Sequence, residues 1–237
     1  MKRFKTIKNQ NSITYSITLL LILSLTFYLT NLYNLIPKKM YTNEDFDIKT
    51  INSNIDFNNN GISDNQDFLQ GAKIDANNRP KYDSRYYDGG YPPDNVGVCT
   101  DVIWRAFRQA GYSLKEMINQ DIIKRPDVYT EINKRDKNID FRRVKNLRVF
   151  FQEYAQNLSI DKKDHAMWQA GDIIIFDNDK HIGIVSDKRN KKGEVYIIHN
   201  GGQTKREEDY LKRANVTAHF RFDAQMVDSD ILVKWKD

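Results

Sequence analysis

A single cysteine, Cys99, occurs among the 237 residues, so an internal disulfide is excluded. It lies far from the N-terminal apolar segment, which also excludes a lipid anchor on a processed N-terminal cysteine. Charge of one sign is scarce too. Lysine and arginine number 37 against 32 acids, a net +5, and the basic residues are scattered among Asp and Asn. A protein that lives on phosphate contacts concentrates its basic residues in a stripe, so nucleic-acid binding is not expected. From Ile13 to Ile36 there is no Asp, Glu, Lys, Arg or His at all. About twenty such residues cross the hydrocarbon core of a bilayer as a helix.

What is present fits one folded domain with appendages. Apolar residues make up 40%, aromatic 12% and charged 29%, enough for a core under a soluble surface. Lys2, Arg3, Lys5 and Lys8 precede the apolar run, which keeps the N-terminus cytoplasmic and puts the chain after Pro37 outside. A cleaved signal peptide competes with this reading, but the run is long and no small-x-small site follows it. Asn31 and Asn34 weaken the distal span and keep both readings open. The expected organisation is a cytoplasmic basic tail over 1–12, a transmembrane anchor over 13–36, a polar tether over 37–54, an acidic and Asn-rich loop over 55–67, and the folded domain over 68–237.

The loop DFNNNGISDNQD places Asp56, Asn58, Asn60, Asp64 and Asp67 at positions one, three, five, nine and twelve, with Gly61 at six and the Ile62 carbonyl at seven. That is the spacing by which an EF-hand loop surrounds a structural calcium ion with oxygens. Position twelve is Asp rather than the bidentate Glu, and no strong helix precedes the loop. An Asn/Asp-rich turn capping the next helix at Ser63 or Asp64 is the other reading.

FLQGAK suggests a short helix ending near Gly71, and a Tyr-, Gly- and Pro-rich loop, Tyr82 to Val98, leads to Cys99. From Thr100, residues Val102, Ile103, Ala106, Phe107 and Ala110 form one helical stripe, with Gly111 as C-cap. Cys99 therefore sits at a helix start, where the dipole and free backbone N–H groups favour a thiolate and a developing oxyanion. Asp101 works against the thiolate. A lone cysteine is also an ordinary small apolar residue, so the local sequence leaves both roles open.

A thiol nucleophile needs a base, and the histidines are His165, His181, His199 and His219. IIIF, HIGIVS and EVYIIH read as consecutive antiparallel strands joined by turn-rich DNDK and DKRNKKG. His181 opens the second strand and His199 closes the third. With a register symmetric about the turn they are cross-strand neighbours, a base and its orienter.

Taken together, the helix-start cysteine, Gly171-Asp172 before an apolar strand, His181-Ile182-Gly183-Ile184-Val185 and Ile198-His199 resemble the NlpC-like branch of the papain-fold cysteine peptidases. More closely, GVCTDVIWRAF, NIDFRRVKNL, HIGIVSDKR, IIHN and AHFRF look like the bacterial family catalogued as domain of unknown function 1287, over roughly Asp67 to Phe222. The resemblance implies an α+β, papain-like core in which the cysteine helix packs on a small antiparallel sheet. It implies Cys99 as nucleophile, His181 as base and His199 as orienter, with no cofactor needed for the chemistry. The substrate it implies is an amide in peptidoglycan or a related wall peptide. Where the NlpC-like pattern has Asp before the cysteine and Ser-Gly after it, this chain has Val98, Thr100 and Asp101. The oxyanion hole and the pocket are therefore not carried over.

Other features carry less. Val144, Leu147, Phe150, Phe151 and Tyr154 give an amphipathic helix, while Arg142 and Arg143 before it read either as holders of a substrate carboxylate or as a solvated helix entry. His165 and Trp168 read as surface or packing residues. Thr217, His219 and Arg221 share one face of a strand, and a zinc site from these histidines lacks close ligand spacing. Two other function classes remain: a binding module that kept the fold and lost the chemistry, and a calcium-gated adhesion or scaffold protein. Oligomeric state is not legible in the sequence.

Overall fold

The structure is a computed structural model that describes residues 2–236. It forms two compact units, Met1–Lys38 and Lys39–Asp237.

The first unit carries helix α1, Lys2–Leu32. Its segment Ile13–Leu32, 20 residues of mean hydropathy 1.8, is long and apolar enough to cross a membrane, as a signal sequence also would be. The helix stops at Leu32 rather than at Ile36. Asn34 adopts φ 57°, the left-handed conformation that asparagine tolerates and that ends a helix.

The second unit is α+β. Helices α2 (Asp64–Asn78), α3 (Cys99–Gln109), α4 (Leu114–Lys124) and α5 (Val144–Tyr154) accompany a six-stranded, wholly antiparallel sheet. Its strands are β3 (Ala155–Asn157), β4 (Ile173–Phe176), β5 (His181–Arg189), β6 (Val195–Ile198), β7 (Glu207–Glu208) and β8 (Val216–Phe222), in the order β3-β8-β4-β5-β6-β7. Two short strands, β1 (Lys81–Tyr82) and β2 (Val96–Gly97), pair in parallel apart from the sheet.

Strand periodicity sorts the apolar residues into two layers. Ile173, Ile175, Ile182, Ile184 and Ile198 join the helices in the main core. Ile174, Phe176, Val185, Val195 and Ile197 form a second cluster with Trp168 and Leu211 on the opposite face. Both faces are covered, so IIIF reads as a continuous apolar run. The α3 stripe of Val102, Ile103, Ala106, Phe107 and Ala110 is fully buried, and Gly111 closes the helix with φ 85°.

Two expected boundaries move. Helix α2 runs through Gly71 instead of ending there, because the glycine is a contact point: a Cβ on it would lie 2.7 Å from Gln109 Cβ and 2.8 Å from Ala106 Cα of α3. The 37–54 segment is not a free tether beyond Lys39. Tyr41 pairs in antiparallel fashion with Arg189, Asn43 Oδ1 accepts from Arg189 Nε at 2.6 Å, and the Ile51 N–H donates to Gln169 at 3.2 Å. Asn43 and the backbone of Tyr41 and Ile51 are thereby tied to the buried Arg189 and Gln169.

Candidate active site

Cys99 opens α3, with Val98 as the extended N-cap residue. The cap is made by Asp101, whose Oδ2 accepts the Val98 N–H at 2.7 Å. The same carboxylate accepts from Trp104 Nε1 at 2.8 Å and takes Arg142 bidentately at 2.9 Å on both oxygens. Thr100 completes the lock by donating its hydroxyl to the Arg142 carbonyl at 3.1 Å. Asp101 is thus a buried helix clamp paired with Arg142, and its charge still works against the thiolate. Arg142 is buried and committed to it, so neither sequence reading of that arginine holds; Arg143 is exposed.

The thiol is 7% exposed. Burial pushes it up to about 11, against the pull of the Ile182 N–H and the helix-start N–H groups of Thr100 and Cys99. Ile182 directly follows His181, so the thiol reaches the strand end one residue from that imidazole. Among the described residues no hydrogen bond joins the two side chains.

The histidines meet, although not as directly opposed residues. A bulge between Val185 and Arg189 shifts the β5–β6 register so that Ile184 pairs with Ile198. His199 consequently lies beside Gly183, where an added Cβ would be 3.1 Å from its own Cβ. A two-residue shift preserves the strand face, and the absent side chain of Gly183 leaves room for the diagonal contact. His181 Nε2 stands 2.8 Å from His199 Nδ1, with the rings edge to face.

Behind this pair is a residue that the sequence reading missed. Glu208 on β7 faces His199 Nε2 across 3.1 Å and is bound by Arg213 at 2.8 and 2.5 Å. Burial alone would raise the Glu208 carboxyl, but the hydrogen bonds from His199 and Arg213 outweigh it and hold it at about 2. Burial lowers His181 to about 3, reinforced by the repulsion that a proton there would meet from His199 and Arg213 and opposed by Glu208. It lowers His199 too, again against Glu208. At rest both imidazoles and the thiol are neutral. Tyr210 walls the pair, its ring centroid 4.1 Å from His199 and 5.6 Å from His181. The sequence held one signal for this return: Gly201-Gly202 after His199 marks a turn, which sends Glu207-Glu208 back along β6.

Asn200 ties this sheet end to the cysteine loop, donating to the Gly97 carbonyl at 2.9 Å and the Pro80 carbonyl at 3.3 Å. His219 stands apart in a polar core of its own. Its Nε2 faces Asp172 at 2.9 Å, Nδ1 faces the Ser159 carbonyl at 2.9 Å, and its ring stacks on Trp168, which is buried.

The 56–67 loop closes on itself. Asp56 accepts the Asn60 and Gly61 N–H groups at 3.0 and 2.7 Å, and Asn60 Oδ1 accepts the Ile62 N–H at 2.7 Å. Asn58 and Asn60 both donate to Asp67, at 2.9 and 3.0 Å. Asp64 is turned away from them, accepting from Phe57 N at 2.9 Å and from the Tyr112 hydroxyl at 2.5 Å. Among the described residues no three His, Cys, Asp or Glu side chains gather as a metal-binding group.

The model of a family described as "Domain of unknown function (DUF1287)" matches residues 69–222. The chain is 35% identical over 149 residues to "Uncharacterized protein YijF" of Escherichia coli (strain K12), covering 60% of this chain and 72% of that protein. No solved structure matches it.

Proposed function

The chain belongs to the DUF1287 family, and from that premise we propose that it is a membrane-anchored thiol hydrolase, papain-like in its core, that cleaves an amide in peptidoglycan or a related wall peptide outside the cytoplasm. The observation that supports it is the hydrogen-bonded line Glu208–His199–His181, which ends beside the helix-start Cys99. The basic residues ahead of the apolar helix support an outward-facing domain.

In this reaction His181 takes the thiol proton as the sulfur attacks the amide carbonyl carbon. The helix-start N–H groups of Cys99 and Thr100 stabilise the oxyanion. The C–N bond then breaks, His181 returns the proton to the leaving amine, and a thioester remains. Water, deprotonated by the same imidazole, cleaves it to the carboxylic acid and the free thiol. A neutral imidazole has the free lone pair that accepting the thiol proton requires, while the burial that lowers His181 and raises the thiol works against the transfer.

The burial of Cys99 and the missing thiol–imidazole hydrogen bond favour a second reading, a wall-binding module without chemistry. Purified full-length protein, assayed on wall peptides of several chemistries, separates the two. Wild type releases a new amine and acid, while Cys99→Ala and His181→Ala lose at least about 10²-fold of that rate. No product from wild type, with peptide binding retained, moves the assignment to the binding module. Within either reading the 56–67 loop is proposed as a structural calcium site, supported by the convergence of Asp56, Asn58, Asn60 and Asp67.

A further inference from the structure

The donors and acceptors around the two imidazoles can be assigned one at a time, and they leave one consistent proton arrangement. An ionised Glu208 can only accept, and Arg213 can only donate to it, so His199 Nε2 must carry a hydrogen. His199 Nδ1 then holds the lone pair. Its two neighbours are His181 Nε2 at 2.8 Å and Gln203 Nε2 at 3.2 Å. The Gln203 amide has no freedom to flip, because its Oε1 accepts the Gly201 N–H at 2.7 Å. Its Nε2 is therefore a donor, given to the His199 carbonyl at 2.9 Å and lying 3.2 and 3.3 Å from the two His199 ring nitrogens, so it does not choose between them. His181 must then donate from Nε2, leaving its Nδ1 as the basic nitrogen.

We propose that Glu208, held by Arg213, is a positioning residue that dictates the tautomer of both histidines and so makes Nδ1 of His181 the base of the site. The part of this inference that concerns rate rests on the hydrolase reading; the part that concerns protons does not.

His199 is faced by His181 from β5, by Glu208 from β7, by Gln203 from the connecting turn, and by Tyr210, Arg213 and Arg206 from the surrounding segments. Glu208 is the one acid among them. Replacing it with Gln removes the charge that favours an imidazolium at His181 and admits an amide donor opposite His199 Nε2.

The test is nitrogen-15 NMR of the histidine rings in the full-length protein at pH 7.5, alone and as Glu208→Gln. Wild type shows Nε2–H on both His181 and His199, and the variant shows mixed or inverted tautomers. Kinetically, kcat falls on the order of 10- to 100-fold with KM unchanged, and the acidic limb of the pH–rate profile moves. A wild-type His181 protonated on Nδ1 overturns the proposal, as do unchanged tautomers in the variant. If Glu208→Gln does not fold, the wild-type tautomer decides alone. Should wild type cleave no wall peptide yet show this proton arrangement, the hydrolase reading fails and the inference stands.

Discussion

Asp101 shows how a residue changes meaning once its partners are known. In the sequence it is a negative charge two positions from the thiol. In the fold it is a fully buried clamp shared by Val98, Trp104 and Arg142. Truncating one member of a buried ion pair strands the other, at a cost of about 3–5 kcal/mol. Arg142→Ala is therefore expected to lower the unfolding free energy of the detergent-solubilised protein by about that amount in chemical denaturation. Pairing Arg142→Met with Asp101→Asn recovers part of the loss, because no charge is then left buried alone. A loss below about 1 kcal/mol would mean that the pair acts as a surface bridge. The residues proposed to carry the chemistry were named from the sequence, Cys99 from its helix start, His181 and His199 from two strand ends. Arg142 and Glu208 were not legible, because a charged side chain announces its partner only through tertiary contact.

At the scale of elements, the three strands and the cysteine helix follow from apolar periodicity and turn residues, and the structure keeps them. The register did not follow, since a bulge inside β5 leaves no mark in the pattern of HIGIVSDKR. The docking of the 39–54 segment is hidden for a related reason. Its Asn43 side chain looks solvated until Arg189 and Gln169, far along the chain, supply its partners. The calcium motif joins these two lessons. Its loop packs on the far end of α3, where Asn58 Nδ2 caps the Gln109 carbonyl at 2.9 Å and Phe57 stacks on Tyr112 with centroids 4.0 Å apart. Calcium bound there raises the melting temperature, by about 2.7 kcal/mol of stability at a hundredfold excess over Kd. Asp56→Asn and Asp67→Asn abolish the calcium-dependent part. Asp64→Asn lowers stability equally with and without calcium, because its carboxylate serves Tyr112 and Phe57 rather than the ion. An identical melting temperature in millimolar calcium and in chelator removes the site.

For the whole molecule, the two histidines and the glutamate at the sheet end have a common sign, opposite to that of Cys99, which burial raises. His181 falls from 6.5 to about 3 on folding, mainly through burial, so the unfolded chain binds its proton first as the medium becomes acidic. The stability it contributes is complete above about pH 6.5 and is lost as the pH falls toward 3. His199 is lowered in the same direction by burial. Glu208 moves from 4.5 to about 2 because the hydrogen bonds from His199 and Arg213 outweigh its burial, so its contribution is lost between those values. These losses overlap and do not cancel. The melting temperature is accordingly expected to fall between about pH 6.5 and 5 as the histidines take up protons; below pH 5 Glu208 adds to the fall, while Asp64, Asp67, Asp75 and Asp140, raised by burial, act in the opposite direction. His181→Gln, which cannot take up the proton, flattens the upper part of that curve between about pH 6.5 and 5. A variant curve parallel to wild type over that interval would show that His181 is not buried in its neutral form.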